Sequence, residues 1–121
     1  MTAEPGELAE AVLAAVESIP PGKVLSYGDV AALVGTRSAR FVGQVMFRYG
    51  GGVPWHRVVM ASGAPAPHHA DEQVALLVAE GVWLTADRSR VDMSRARWEP
   101  PSDPTVRHHR PTPPEDGLGG G

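Results

Sequence analysis

Near the start of the chain Leu8, Val12, Val16 and Ile19 recur three or four positions apart. That period puts them on one face of an amphipathic helix running from Pro5-Gly6 to Pro20-Pro21. Pro20-Pro21-Gly22 ends the helix and starts a turn. The hydroxyl of Ser26 can accept from a free amide of a first helical turn, which predicts a short helix from Tyr27 to Leu33, stopped by Gly35. Ser38 predicts a second cap, for a helix from Ala39 to about Arg48 with Phe41, Val45 and Met46 as apolar positions. Two short helices joined by a tight, Gly-containing turn are the outline of a helix-turn-helix.

The pattern then changes. Tyr49-Gly50-Gly51-Gly52 reads as a flexible loop leading to Pro54, and the β-branched run from His56 to Met60 predicts a short strand. Ala61 to His69 reads as a loop, and Asp71 to Ala79 as a helix stopped near Glu80-Gly81. Val82-Trp83-Leu84 and Arg90-Val91-Asp92 flank a polar turn, which predicts a hairpin or wing. From Glu99 onward the chain is rich in proline and then glycine, with little to bury. Residues 1–98 are therefore expected to form one domain and 99–121 a disordered tail. No internal repeat is evident. The expected fold is mainly α with a small β wing, a winged helix-turn-helix of the DNA-binding kind.

A chain of 121 residues can build one modest hydrophobic core but not two. Its net charge of -3 argues at first against a polyanionic partner. The distribution reverses that reading. Glu4, Glu7, Glu10 and Glu17 crowd the first helix, whereas no acidic residue lies between Asp29 and Asp71, where Arg37, Arg40, Arg48 and Arg57 all fall. Local field decides contact with phosphates, although a solvated basic face without a partner would carry the same pattern. There is no cysteine, which excludes a disulfide framework, a thiolate zinc site and a redox motif. His56, His68, His69, His108 and His109 lack a metal-ligand spacing, so neither metal nor cofactor is expected. No apolar run is long enough to span a membrane, and residues 1–7 lack the basic and apolar regions of a secretory leader. A cytoplasmic location is the expectation.

The stretch Val53-Pro54-Trp55-His56-Arg57-Val58-Val59 resembles the reactive motif of the O6-alkylguanine-DNA alkyltransferases. In that family a cysteine between the proline and the histidine takes the alkyl group from the damaged base. Here the position holds Trp55. Direct alkyl transfer needs a thiolate, so the ordinary activity of the family is chemically excluded. Other segments match in family order. Ile19 to Val24 and Ser26 to Ala31 resemble the start of its helix-turn-helix, and Ala39 to Met46 its recognition helix. Ser62-Gly63, Leu76-Leu77 and Glu80-Gly81 follow the reactive motif as they do in the family, and Arg90 to Trp98 is similar to the cysteine-less, stand-alone members. The likeness covers roughly residues 7–98. The chain thus resembles the alkyltransferase-like proteins, which bind alkylated DNA without repairing it. Two segments depart from the pattern. Gly50-Gly51-Gly52 replaces an asparagine-proline hinge, and in the loop Ala64 to His69 only His68 or His69 could supply the basic residue that some relatives place against an extruded base.

The resemblance implies a role for each matching residue. Arg40 would enter the gap left by the flipped nucleotide, where a planar guanidinium stacks and donates well, and Tyr27 would hold the neighbouring phosphate. From the residues alone, Arg40 could equally be an ordinary phosphate contact and Tyr27 a packing residue. Lys23, Ser38 and Arg48 are candidate phosphate partners. Trp55, Tyr27, Val53, Pro54 and Ser62 would line the lesion pocket. His56 and Glu80 resemble the pair that would activate the missing thiol, and with Arg57 they are expected to give structural support. The implied function is a monomeric, nucleoid-associated, non-enzymatic sensor of O6-alkylguanine. It would bind through the minor groove and hand the lesion to nucleotide-excision repair. A sequence-specific winged-helix transcription regulator acting as a dimer is the rival, but it leaves Pro-Trp-His-Arg unexplained.

Overall fold

A computed structural model describes residues 6–101. Its helices are α1 (Glu7–Glu17), α2 (Tyr27–Val34), α3 (Ala39–Tyr49), α4 (Ala70–Ala79) and the short α5 (Met93–Ala96). Two strands, β1 (Leu25–Ser26) and β2 (Val58–Val59), pair in parallel with Leu25 opposite Val58 and Ser26 opposite Val59. Successive strand residues point to opposite faces. Leu25 and Val58 accordingly join Val12, Val16, Ile19, Val30, Val42 and Val45 in a core among α1, α2 and α3. Val24 and Val59 face the other way, into a second cluster with Leu77, Val82, Val91 and Ala96. This small ribbon is the wall between the two interiors. Each buried valine contributes about 1.5–3 kcal/mol.

A parallel pair needs a long crossover, and here the crossover is the helix-turn-helix itself. On the outer side of β1, the amide of Val24 donates to Ala96 (2.9 Å) and that of Trp98 to Val24 (2.8 Å). Ser26 ends β1 and caps α2: its hydroxyl accepts from the Asp29 amide while its own amide donates to the Asp29 carboxylate, both at 3.0 Å. Such a cap contributes about 1 kcal/mol. Arg97 Nε donates to the same carboxylate at 3.0 Å, tying the end of the domain to the start of α2. Gly35, left-handed at φ 86, stops α2, and Ser38 caps α3 by accepting from Phe41 at 2.9 Å.

Several expectations are corrected. Ala9, not Leu8, completes the buried face of α1; Leu8 is 39% exposed and Ala9 only 6%. The face that meets α2 and α3 runs through positions 9, 12, 16 and 19, which turns Leu8 outward. Gly50–Gly52 is no loose loop but a 3-10 turn, with Gly50 buried beside Met46. The strand expected over residues 56–60 shrinks to Val58–Val59, because Trp55–Arg57 coils into a second 3-10 turn. The wing is present in reduced form: Leu84 bridges Val91 antiparallel, and the Asp87 carboxylate holds the turn by accepting from Thr85 and Ser89. The expected tail, apart from Glu99–Pro101, lies outside the described residues, as do His108 and His109.

Gly63 fastens the wing to the turn after β2. Its amide donates to Met60 and its carbonyl accepts from the Val91 amide, both at 2.8 Å. Both Gly63 and Gly35 have positive φ, but a Cβ at position 63 would collide with the Val91 carbonyl, whereas one at 35 meets nothing within 4 Å. Gly35→Ala is expected to cost about 1 kcal/mol from backbone strain alone. Gly63→Ala is expected to cost about 2–4 kcal/mol, because the clash adds to that strain. Urea denaturation of the two variants checks this; equal losses would show that crowding at Gly63 contributes nothing.

Candidate nucleic-acid interface

By turning Val42 and Val45 into the core, α3 leaves Arg40, Gln44, Phe47 and Arg48 exposed. Beside it opens a cleft of about 1060 Å³ whose wall includes Tyr27, Arg40, Arg48, Tyr49, Met60 and Pro67. Among the described residues neither Arg40 nor Arg48 has an ion-pair partner. Burial pushes the Tyr27 phenol above its usual 10.0, so at neutral pH the hydroxyl stays protonated and able to donate. The surface therefore offers free guanidinium groups and a neutral phenol over a largely apolar wall. Ser38 stands at the first turn of α3 with its oxygen engaged in the cap. Lys23 is placed elsewhere: its ammonium donates to the carbonyl of Arg95 at 3.3 Å, against the end of α5 rather than along the cleft.

The 3-10 turn Trp55–Arg57 is held by one carboxylate. His56 Nε2 lies 2.7 Å from Glu80 Oε2. An ionised carboxylate only accepts, so this nitrogen carries the proton. Arg57 donates to Glu80 through Nε (3.1 Å) and Nη2 (2.7 Å), and through Nη1 to the carbonyl of Ile19 (2.8 Å). The Gly22 amide donates to Glu80 Oε1 at 3.2 Å. Burial alone would raise the pKa of Glu80. The hydrogen bonds from Arg57, His56 and Gly22 outweigh it and bring the pKa from 4.5 to about 2. His56, Arg57 and Glu80, named together from the sequence, are thus brought together here.

Of the five pocket candidates, Tyr27 alone lines the cleft beside α3. Val53 packs against the helical core. Pro54 precedes the 3-10 turn, and Ser62 sits in an exposed turn where its oxygen accepts from Ala64 at 3.3 Å. Half-buried Trp55 meets His56 edge to face at 6.1 Å and 86°, and meets His69 at 6.0 Å and 65°. The segment Pro67–His69 therefore runs from the cleft wall to the indole.

Two contributors were missed in the sequence. Gln73 is fully buried and donates to the carbonyls of His56 (3.0 Å) and Val58 (2.8 Å), while its oxygen accepts from Ala66 (2.7 Å). A signal existed: Gln73 lies one helical turn before buried Leu77, and a polar residue on a buried face must be satisfied internally. The second is Phe47, which is 89% exposed.

Residues 7–82 match the family model described as 6-O-methylguanine DNA methyltransferase, DNA binding domain. A protein of Escherichia coli (strain K12) named DNA base-flipping protein is 43% identical over 88 residues, 69% of this chain and 67% of that one. Among solved structures, S. pombe Atl1 in complex with damaged DNA containing O6-carboxymethylguanine aligns with a TM-score of 0.69 at 33% identity. That alignment covers 80% of this chain and 99% of Atl1. Mycobacterium tuberculosis OGT in complex with DNA aligns with a TM-score of 0.58 at 29% identity, over 75% of this chain and 56% of that one.

Glu80 makes stability depend on pH. Its folded pKa lies below the ordinary 4.5, so its contribution is fully present above that pH and is lost as pH falls toward about 2. Glu80→Gln is expected to cost on the order of 2 kcal/mol at pH 7. The gap between variant and wild type should narrow as acid protonates the carboxylate. Urea denaturation at a series of pH values measures it, and a gap that stays constant would show that the charge of Glu80 contributes nothing.

Proposed function

The chain belongs to the family of 6-O-methylguanine DNA methyltransferase DNA-binding domains, as an alkyltransferase-like member, and we propose that it senses O6-alkylguanine in DNA by nucleotide flipping. One observation carries this reading. The network of His56, Arg57 and Glu80 around the reactive motif is intact, yet Trp55 occupies the place of the nucleophile in a chain without cysteine. The mount for a flipped base is retained while the chemistry is gone.

Taking a base out of the stack costs a few kcal/mol, which new contacts must offset. Arg40, exposed at the first turn of α3, fills the gap and donates to the orphaned base. Tyr27, a neutral donor on the same cleft, holds the adjacent phosphate, with Ser38 and Arg48 on further phosphates. Trp55 offers its indole to the extruded purine, a contact worth about 1–3 kcal/mol. Pro54 leads into the turn that carries that indole, and the Trp55 amide donates to the carbonyl of Val53 at 2.7 Å. No bond forms or breaks, so the lesion persists and the complex itself is the signal. Nucleotide-excision repair is the pathway proposed to receive it. The support is chemical: an unremoved alkyl group has to be excised by another enzyme. The names of the relatives above, one for base flipping and one bound to damaged DNA, support the same reading.

A short duplex with one O6-methylguanine should bind at least about tenfold tighter than the same duplex without it, which corresponds to about 1.4 kcal/mol. Neither protein nor DNA should change mass. Arg40→Ala should weaken lesion binding about tenfold or more, and Arg48→Ala should weaken both duplexes alike. Equal affinity of the wild type for the two duplexes would sink the reading; equal losses in the two variants would reduce Arg40 to a phosphate contact.

Trp55→Cys should methylate itself far more slowly than the family's enzymes, if at all. A thiol there lacks a fixed distance to the alkyl carbon, and a misplacement of about 1 Å costs about a hundredfold in rate. Single-turnover mass spectrometry measures this. Rapid stoichiometric methylation would show that position 55 is already in reacting geometry.

A further inference from the structure

Phe47 is the most exposed of the large apolar side chains among the described residues, at 89%. It stands seven positions after Arg40 on α3, two helical turns on, so both side chains leave the same face about 10 Å apart along the axis. Gly43 and Gln44 complete that stripe, and a Cβ added at Gly43 would meet nothing within 4 Å. The middle of the stripe is therefore flat and open to close approach. Arg48 follows Phe47 directly, and α3 contains no acidic residue.

We propose that Phe47 is an apolar wedge that presses into the minor groove of the bound duplex about three base pairs from the flipped nucleotide. The distance follows from a rise of about 3.4 Å per nucleotide. The inference rests on the lesion-sensing reading above and adds a second contact to it. Charge selects DNA over a protein as the occupant. An apolar protein surface covering Phe47 would bury Arg40 and Arg48 without partners, which is costly. A duplex supplies phosphates on both walls of the groove, with deoxyribose and base edges between them for the ring. Phenylalanine side chains used in this way partly unstack a base step and bend the duplex toward the major groove. Pressed in at a distance from Arg40, the ring keeps the groove open along the helix. It thereby opposes return of the extruded nucleotide.

The test uses lesion-containing and undamaged duplexes, each with a fluorescent base analogue three pairs from the lesion position on either side, at several salt concentrations. Phe47→Ala should lower affinity for the lesion duplex about tenfold and reduce the analogue signal on one side. The salt slope should be unchanged, because no phosphate contact is lost, whereas Arg48→Ala should reduce it by about one. Phe47→Leu should retain most of the affinity. Melting temperatures should stay at the wild-type value, since the ring packs on nothing. Wild-type affinity and analogue signal in Phe47→Ala would overturn the wedge while leaving the lesion-sensing reading intact. Wild-type protein that binds both duplexes alike would remove that reading. The wedge would then stand or fall on whether Phe47→Ala weakens binding to undamaged duplex.

Discussion

The carboxylate of Glu80 joins three stretches of chain that are far apart in sequence. It accepts from His56 and Arg57 in the turn before β2, and from the amide of Gly22 in the turn after α1. Arg57 reaches on to Ile19, so the end of α1 is held from the same point. This constraint decides where β2 begins. With His56 and Arg57 both drawn to one acceptor, residues 55–57 coil, and the chain extends only from Val58. The facing of Val58 and Val59, and hence the division into two cores, follows from that starting point. Removing a partner from such a half-buried network leaves a charge without compensation, which costs more than the pair itself contributes.

Gln73 completes the support from the opposite side. Its amide bonds three backbone groups in the segments before, within and after β2. Trp55 therefore sits on a turn fastened by a carboxylate on one side and an amide on the other. On the proposed reading this turn is part of a binding surface, and one mounted in this way loses little freedom when it meets its ligand, so that more of the contact energy is realised as affinity. Arg40 is held in a similar way by α3, whose start is set by Ser38 and whose inner face is locked by Val42 and Val45.

What could be read from the sequence was mostly local. Ser26, Gly35 and Ser38 act within three or four residues of themselves, so the helix-turn-helix was legible from its caps. The family motif likewise brought His56, Arg57 and Glu80 to notice together. Tertiary effects were harder to read. Leu8 and Ala9 both continue a helical period, and only packing against α2 and α3 decides which is buried. Three glycines in a row carry no local preference for the 3-10 turn they form. Arg97 and Asp29 lie 68 positions apart, and nothing near either residue signals the other. The sequence around Trp55 does not show what the indole packs against. Its observed neighbours, His56 and His69, depend on the path of the 67–69 segment, which no periodicity encodes.

The indole at position 55 also has a consequence for supply. A thiol that accepts an alkyl group becomes a thioether that water does not reverse, and the protein carrying it is consumed. On the proposed reading Trp55 leaves the encounter unchanged, so one molecule serves many lesions in succession. Capacity is then set by residence time and not by copy number. Slow release keeps a lesion marked but withdraws the molecule from circulation, while fast release frees it before another enzyme arrives. The useful affinity of such a surface is bounded above as well as below.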